Sequence, residues 1–104
     1  MDPAEFQVKD LLDATGAATS LSEREKHLIG LAVTVTRGCS VCTGGRLEKA
    51  LAAGIDYETV RAAIDLTAAV NAGVAIRTAI EGAVRNGIDS ACSDDLCTAG
   101  TGEA

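Results

Sequence analysis

Apolar residues recur along the 104-residue chain at helical spacing, not in strand-like alternation. The first predicted helix runs from about Pro3 to Ala14. Asp2 suits its N-cap, Pro3 its first position and Gly16 its stop. A second helix starts near Ser22, where Ser22-Glu23-Arg24-Glu25 has capping-box spacing. Its apolar positions Leu28, Ile29, Leu31, Ala32, Val33 and Val35 cover most of the circumference, which predicts a buried central helix ending at Gly38. The third helix begins around Cys39 or Ser40 and stops at Gly54. Gly44 and Gly45 in its first turns weaken it and permit close approach by another helix or a substrate. Asp56 caps a fourth helix from Tyr57 to about Val70. Asn71, Ala72 and Gly73 read as a break, and a fifth helix carries Val74, Ile76, Ala79, Ile80, Ala83 and Val84 up to the stop at Asn86-Gly87. The expected fold class is therefore all-α, with about five helices over residues 1–88. Residues 89–104 form a polar, acidic segment expected to be a flexible tail.

Composition narrows the partners. The formal net charge is −6, with nine basic residues scattered among fifteen acidic ones. No basic stripe or aromatic ladder is present, which argues against nucleic acid. The longest apolar stretch, Leu28 to Val35, contains Gly30 and Thr34 and falls far short of the ~20 residues that cross a bilayer. No secretory leader is visible in the acidic N-terminus, so the expected compartment is the cytosol, where thiols stay reduced. Aromatics are only 2% of the chain, and a core of Ala, Val, Leu and Ile is thin. Exposed strips of such residues predict association into a homo-oligomer.

The segment that carries chemistry is Gly38-Cys39-Ser40-Val41-Cys42-Thr43-Gly44-Gly45-Arg46. Three-residue spacing at a helix start puts both sulfurs on one side of the first turn, within disulfide reach if the backbone allows. Unpaired N–H groups and the helix dipole favour a thiolate there. Arg46, one turn beyond Cys42 on the same face, adds a permanent positive charge. Three readings of the pair stand at this point: packed cysteines, half of a zinc site, or redox chemistry. Zinc needs further ligands, for which His27, Cys92 and Cys97 are the candidates. His27 is the only histidine. If the second and third helices pack antiparallel after Gly38, it can lie beside Arg46 and accept a proton from Cys42, directly or through water.

The stretch from Leu21 to Ile55, LSEREKHLIGLAVTVTRGCSVCTGGRLEKALAAGI, resembles the alkylhydroperoxidase D (AhpD)-like, or carboxymuconolactone decarboxylase, family. A looser similarity continues through DYETVRAAIDLTAAVNAGVAIRTAI. The resemblance implies an all-helical domain assembled as a trimer or hexamer. It also implies a thiol-dependent peroxidase or disulfide oxidoreductase that needs no bound cofactor or metal, acts on a small-molecule peroxide or disulfide, and is regenerated by a thiol reductant protein or dithiol. By the same resemblance Cys42 attacks and Cys39 resolves; His27 as the base and Arg46 as the thiolate-stabilising cation are the expected replacement for the family's relay. The chain departs from the pattern at two positions. The family's redox signature has a Glu twelve residues before the first cysteine and a His four residues after the second, where this chain has His27 and Arg46. Arg does not accept a proton, so the base is His27, a glutamate such as Glu23 or Glu48, or solvent. The decarboxylase branch lacks the cysteine pair, which points away from lactone decarboxylation. The alternative reading is a module that senses redox state, carries sulfur or binds metal without turnover.

Overall fold

The computed structural model describes residues 1–88, and every structural statement below concerns those residues. All regular structure among them is helical: a 3-10 turn at Pro3–Glu5, then α1 (Val8–Gly16), α2 (Glu23–Arg37), α3 (Ser40–Ala52) and α4 (Tyr57–Arg85). The chain divides into two units, residues 1–67 and 68–104. The expected tail, residues 89–104, lies outside the described residues.

The predicted start signals work where a side chain satisfies an orphan N–H. Ser22 Oγ accepts from the Glu25 N–H at 3.0 Å, and Glu25 Oε1 accepts from the Ser22 N–H at 2.7 Å. Asp56 Oδ1 accepts from the Thr59 N–H at 2.9 Å. Arg24 Nη2 reaches Thr59 Oγ1 at 3.3 Å and ties the start of α2 to the start of α4. The predicted stops close in one way. After α2 the Cys39 N–H donates to the Thr34 carbonyl and the Gly38 N–H to the Val35 carbonyl. After α3, Ile55 and Gly54 donate in the same pattern to Ala50 and Leu51. Gly38 takes a left-handed φ of 74°, which a Cβ would strain.

Two expectations about the elements are corrected. The first predicted helix is split. The Asp2 and Glu5 side chains cap each other's backbone and close a single 3-10 turn, and Phe6 then leaves in extended backbone before α1 begins. The break predicted at Asn71–Gly73 is absent: α4 runs unbroken through it for 29 residues. Gly73 keeps an ordinary negative φ. One Asn and one Gly weaken a helix by roughly 1 kcal/mol each, too little to interrupt a ladder flanked on both sides by Ala-rich turns. Merging the two segments also makes α4 long and apolar enough, by length and composition, to cross a membrane, which the longest apolar run in the sequence is not. Arg61, Asp65, Arg77 and Glu81 interrupt its apolar surface.

In the first unit α2 and α3 pack on each other and the start of α4 joins them. Leu31, Ala50, Ile55 and Val60 are buried, with Leu28, Val35, Leu47 and Ile64 packed around them. Burying Leu31 contributes about 1.5–3 kcal/mol, and four such residues make a small core. The predicted wholly buried α2 is therefore only half realised: Ile29 is 51% exposed and Val33 54%. In α4 Leu66 and Val70 of its middle, and Val74, Ile76, Ile80 and Val84 beyond, are also open.

The exposed capping carboxylates give the fold an acid limb. Hydrogen bonds from the Ser22 backbone and side chain hold Glu25 below its ordinary 4.5, and those from the Thr59 side chain and backbone hold Asp56 below its ordinary 3.8. A depressed carboxylate stabilises the fold above its ordinary value, and that contribution is lost as pH falls through the folded-state value. Thermal unfolding followed from pH 7 downward is expected to show Tm falling below about pH 4.5. Glu25→Gln and Asp56→Asn lower Tm at pH 7 and converge with the wild type in acid.

Candidate functional site

Cys39 is the residue on which the turn pivots. As the residue after Gly38 it closes the end of α2. Its own backbone is extended, and it serves as the N-cap of α3. The Cys42 N–H donates to Cys39 Sγ at 3.1 Å, and the Thr43 N–H donates to the Cys39 carbonyl at 2.9 Å. Cys39 and Cys42 form a disulfide with a Cα–Cα separation of 5.3 Å. That separation lies within the range a disulfide spans without moving backbone. The two sulfurs differ in access. Cys42 is exposed and Cys39 half-buried. An attacking reagent meets Cys42 first. The Cys42 N–H and the dipole of α3 stabilise negative charge on Cys39 when the bond opens.

A hydroxyl chain lies beside the pair. Thr43 Oγ1 and Thr34 Oγ1 are 3.1 Å apart, and Thr34 Oγ1 donates to the Leu31 carbonyl at 3.1 Å. Both threonines are half-buried. These residues were not read from the sequence as part of the site. The signal for them was the reversal at Gly38, which folds position 34 back onto position 43.

That contact and one other fix the register of α2 against α3. A Cβ built on Gly30 would meet the Arg46 guanidinium, 2.5 Å from Nη1 and 2.7 Å from Cζ. The Arg46 head group therefore lies directly over the bare backbone of α2 at Gly30. His27 is half-buried one turn before Gly30 and seven residues before Thr34. At 1.5 Å per residue it stands about 10 Å along α2 from the level of the cysteines. The antiparallel packing brings Arg46 within a turn of His27. It gives His27 no direct hydrogen bond to either sulfur among the described residues; His27 lies four residues beyond Glu23 on α2, and that carboxylate is held low chiefly by Lys26. No other helix of this chain approaches Gly44 or Gly45: a Cβ at either would meet nothing within 4 Å.

Among the described residues no group of three or more His, Cys, Asp or Glu side chains is placed to hold a metal ion. Cys92 and Cys97, the other thiols considered for zinc, lie outside the described residues.

The described residues hold four α-helices with a Cys-x-x-Cys disulfide at the start of the third. The sequence profile of the carboxymuconolactone decarboxylase family matches residues 7–85, and the chain belongs to that family, which includes the AhpD-like proteins. A solved structure with a similar fold is a protein from Methanobacterium thermoautotrophicum. It is 34% identical, with a TM-score of 0.69 over 76% of this chain and 91% of that one. No curated protein matches the chain.

The difference in access has a direct consequence. When the reduced protein is treated with a limiting amount of iodoacetamide, the adduct is expected on Cys42 ahead of Cys39, as read by peptide mass spectrometry. Without reductant, the peptide holding both residues is expected two mass units lighter than its dithiol form.

Proposed function

We propose that this chain is a thiol-dependent peroxidase or disulfide oxidoreductase in which Cys42 attacks and Cys39 resolves. The observation that carries the reading is the joined pair with unequal access, an open Cys42 and a half-buried Cys39 seated on the α3 N-cap. Membership of a family that includes AhpD-like peroxidases supports it.

The Cys42 thiolate attacks one oxygen of a hydroperoxide; the O–O bond breaks, and the alkoxide takes up a proton to leave as an alcohol. Cys42 becomes a sulfenic acid. The Cys39 thiol attacks that sulfur, the S–S bond forms, and the hydroxyl leaves as water with the Cys39 proton. A dithiol reductant then attacks the exposed Cys42 sulfur, and Cys39 departs as a thiolate. A sulfur stabilised as an anion leaves faster, which suits Cys39 to this step. The second reductant thiol completes the exchange and leaves as a disulfide. Because His27 stands two turns from the pair, solvent around the open Cys42 accepts the first proton.

Stopped-flow measurement of an organic hydroperoxide consumed in the presence of a dithiol tests the scheme. Cys42→Ser is expected to abolish consumption. Cys39→Ser is expected to allow one equivalent and then stall as a sulfenic acid that dimedone traps. An unchanged rate in Cys42→Ser overturns the assignment.

The active form is read as a homo-oligomer, a trimer or hexamer. An open groove of about 390 Å³ runs past Leu28, Ile29, Ala32, Ala62, Ala63 and Leu66. Its lining is almost wholly apolar, and covering it removes that surface from water. Sedimentation equilibrium at micromolar concentration is expected to give a mass several times 10.5 kDa. Ala63→Glu, which puts a charge in the groove, is expected to shift that mass towards the monomer.

A further inference from the structure

Arg46 is the cation in this chain whose surroundings fit a ligand. Two ion pairs occur among the described residues, Lys9–Asp13 and Lys26–Glu23, and Arg46 belongs to neither. Its guanidinium is half-buried and lies flat over Gly30, the one place on α2 where a missing Cβ lets it settle. It forms part of the wall of an open cavity of about 430 Å³, together with Leu12, Leu21, Ile29, Gly30 and Lys26. Leu12, Leu21 and Ile29 are 60%, 40% and 51% exposed, so the cavity presents apolar side chains to water beside the cation. Lys26 is already committed, with its Nζ donating to the Gly16 carbonyl and to Glu23, both at 2.8 Å.

We infer that this cavity binds an amphipathic monocarboxylate, with its carboxylate on the Arg46 fork and its hydrocarbon chain against Leu12, Leu21 and Ile29. A planar guanidinium matches a carboxylate through two parallel hydrogen bonds. One available cation balances one negative charge, and a chain of net charge −6 repels a dianion, so a carboxylate fits better than a phosphate. Arg46 lies four residues beyond Cys42, about 6 Å along α3. The carboxylate end of the ligand is the end nearest Cys42, and the hydrocarbon chain runs from it towards the start of α2, away from the cysteines. Arg46 is then a binding residue and not the thiolate's partner.

Calorimetric titration of the full-length oxidised protein with octanoate, octanamide and octyl phosphate tests the inference without requiring turnover. Octanoate is expected to bind at least tenfold more tightly than octanamide and more tightly than octyl phosphate. Arg46→Gln is expected to weaken octanoate tenfold to a hundredfold, the usual effect of losing charge-assisted hydrogen bonds. Gly30→Ala keeps the charge but displaces the head group, since the flexible guanidinium yields before the backbone. It is expected to weaken octanoate severalfold with an unchanged circular dichroism spectrum. Equal affinity for octanoate and octanamide, tighter binding of octyl phosphate, or undiminished octanoate binding in a folded Arg46→Gln protein overturns the inference. Octanoate binding by a protein that neither consumes peroxide nor exchanges disulfides would defeat the redox proposal alone. Peroxide consumption by a protein blind to octanoate's charge would defeat this one alone.

Discussion

The reversal at Gly38 is the constraint on which the rest of the first unit depends. A left-handed residue there lets the end of α2 and the start of α3 share one residue, Cys39, which closes the first helix with its N–H and caps the second with its sulfur. This sets the antiparallel register, seen in the Thr34–Thr43 hydroxyl contact and in the guanidinium over Gly30. The register then fixes the depth at which Arg46 lies, while the joined sulfurs sit within the first turn of α3 itself. A Cβ at Gly38 would strain the turn and act on the core, the disulfide and the cavity together.

The structural price of that arrangement is a small core. Leu31, Ala50, Ile55 and Val60 are interior, while comparable apolar residues on α2 and α4 face outward. Small side chains permit close helix approach but remove little surface from water per residue. The amphipathic pattern of α2 therefore describes more than its single-chain burial. Leu31 answers to the helices of its own chain, and Ile29 and Val33 are left exposed by it.

Much of this was legible in the residues, because the informative signals were local. Capping boxes, helix-stopping glycines and the Cys-x-x-Cys spacing act within six residues, and Ser22, Asp56, Gly38 and Cys39 behave as their types dictate. Two failures were also local, but were contests of magnitude. The Asn71–Gly73 step weakens α4 without outweighing its flanks, and the Asp2–Glu5 box was strong enough to close a turn of its own. What the sequence did not disclose was register. That Gly30 makes room for Arg46, and that His27 stands a further turn away from the cysteines, depends on how two helices slide past each other. No spacing within either helix encodes that slide.

Register also changes how the departures from the family's relay are understood. In this chain His27 and Arg46 occupy the positions where the redox signature has Glu and His. If the pair were a relay with its members exchanged, a base would have to stand between cation and sulfur. Instead the guanidinium turns away along α2 towards an apolar cavity, and the imidazole lies beyond it beside Glu23. Arg keeps its charge throughout the working pH range, so it cannot cycle a proton, but it can hold an anion without regard to pH. The substitution thus removes a proton carrier beside the cysteines and leaves a fixed positive contact one turn away. On the proposed scheme proton traffic is left to the open side of Cys42, and on the inference drawn for Arg46 the cavity holds a carboxylate.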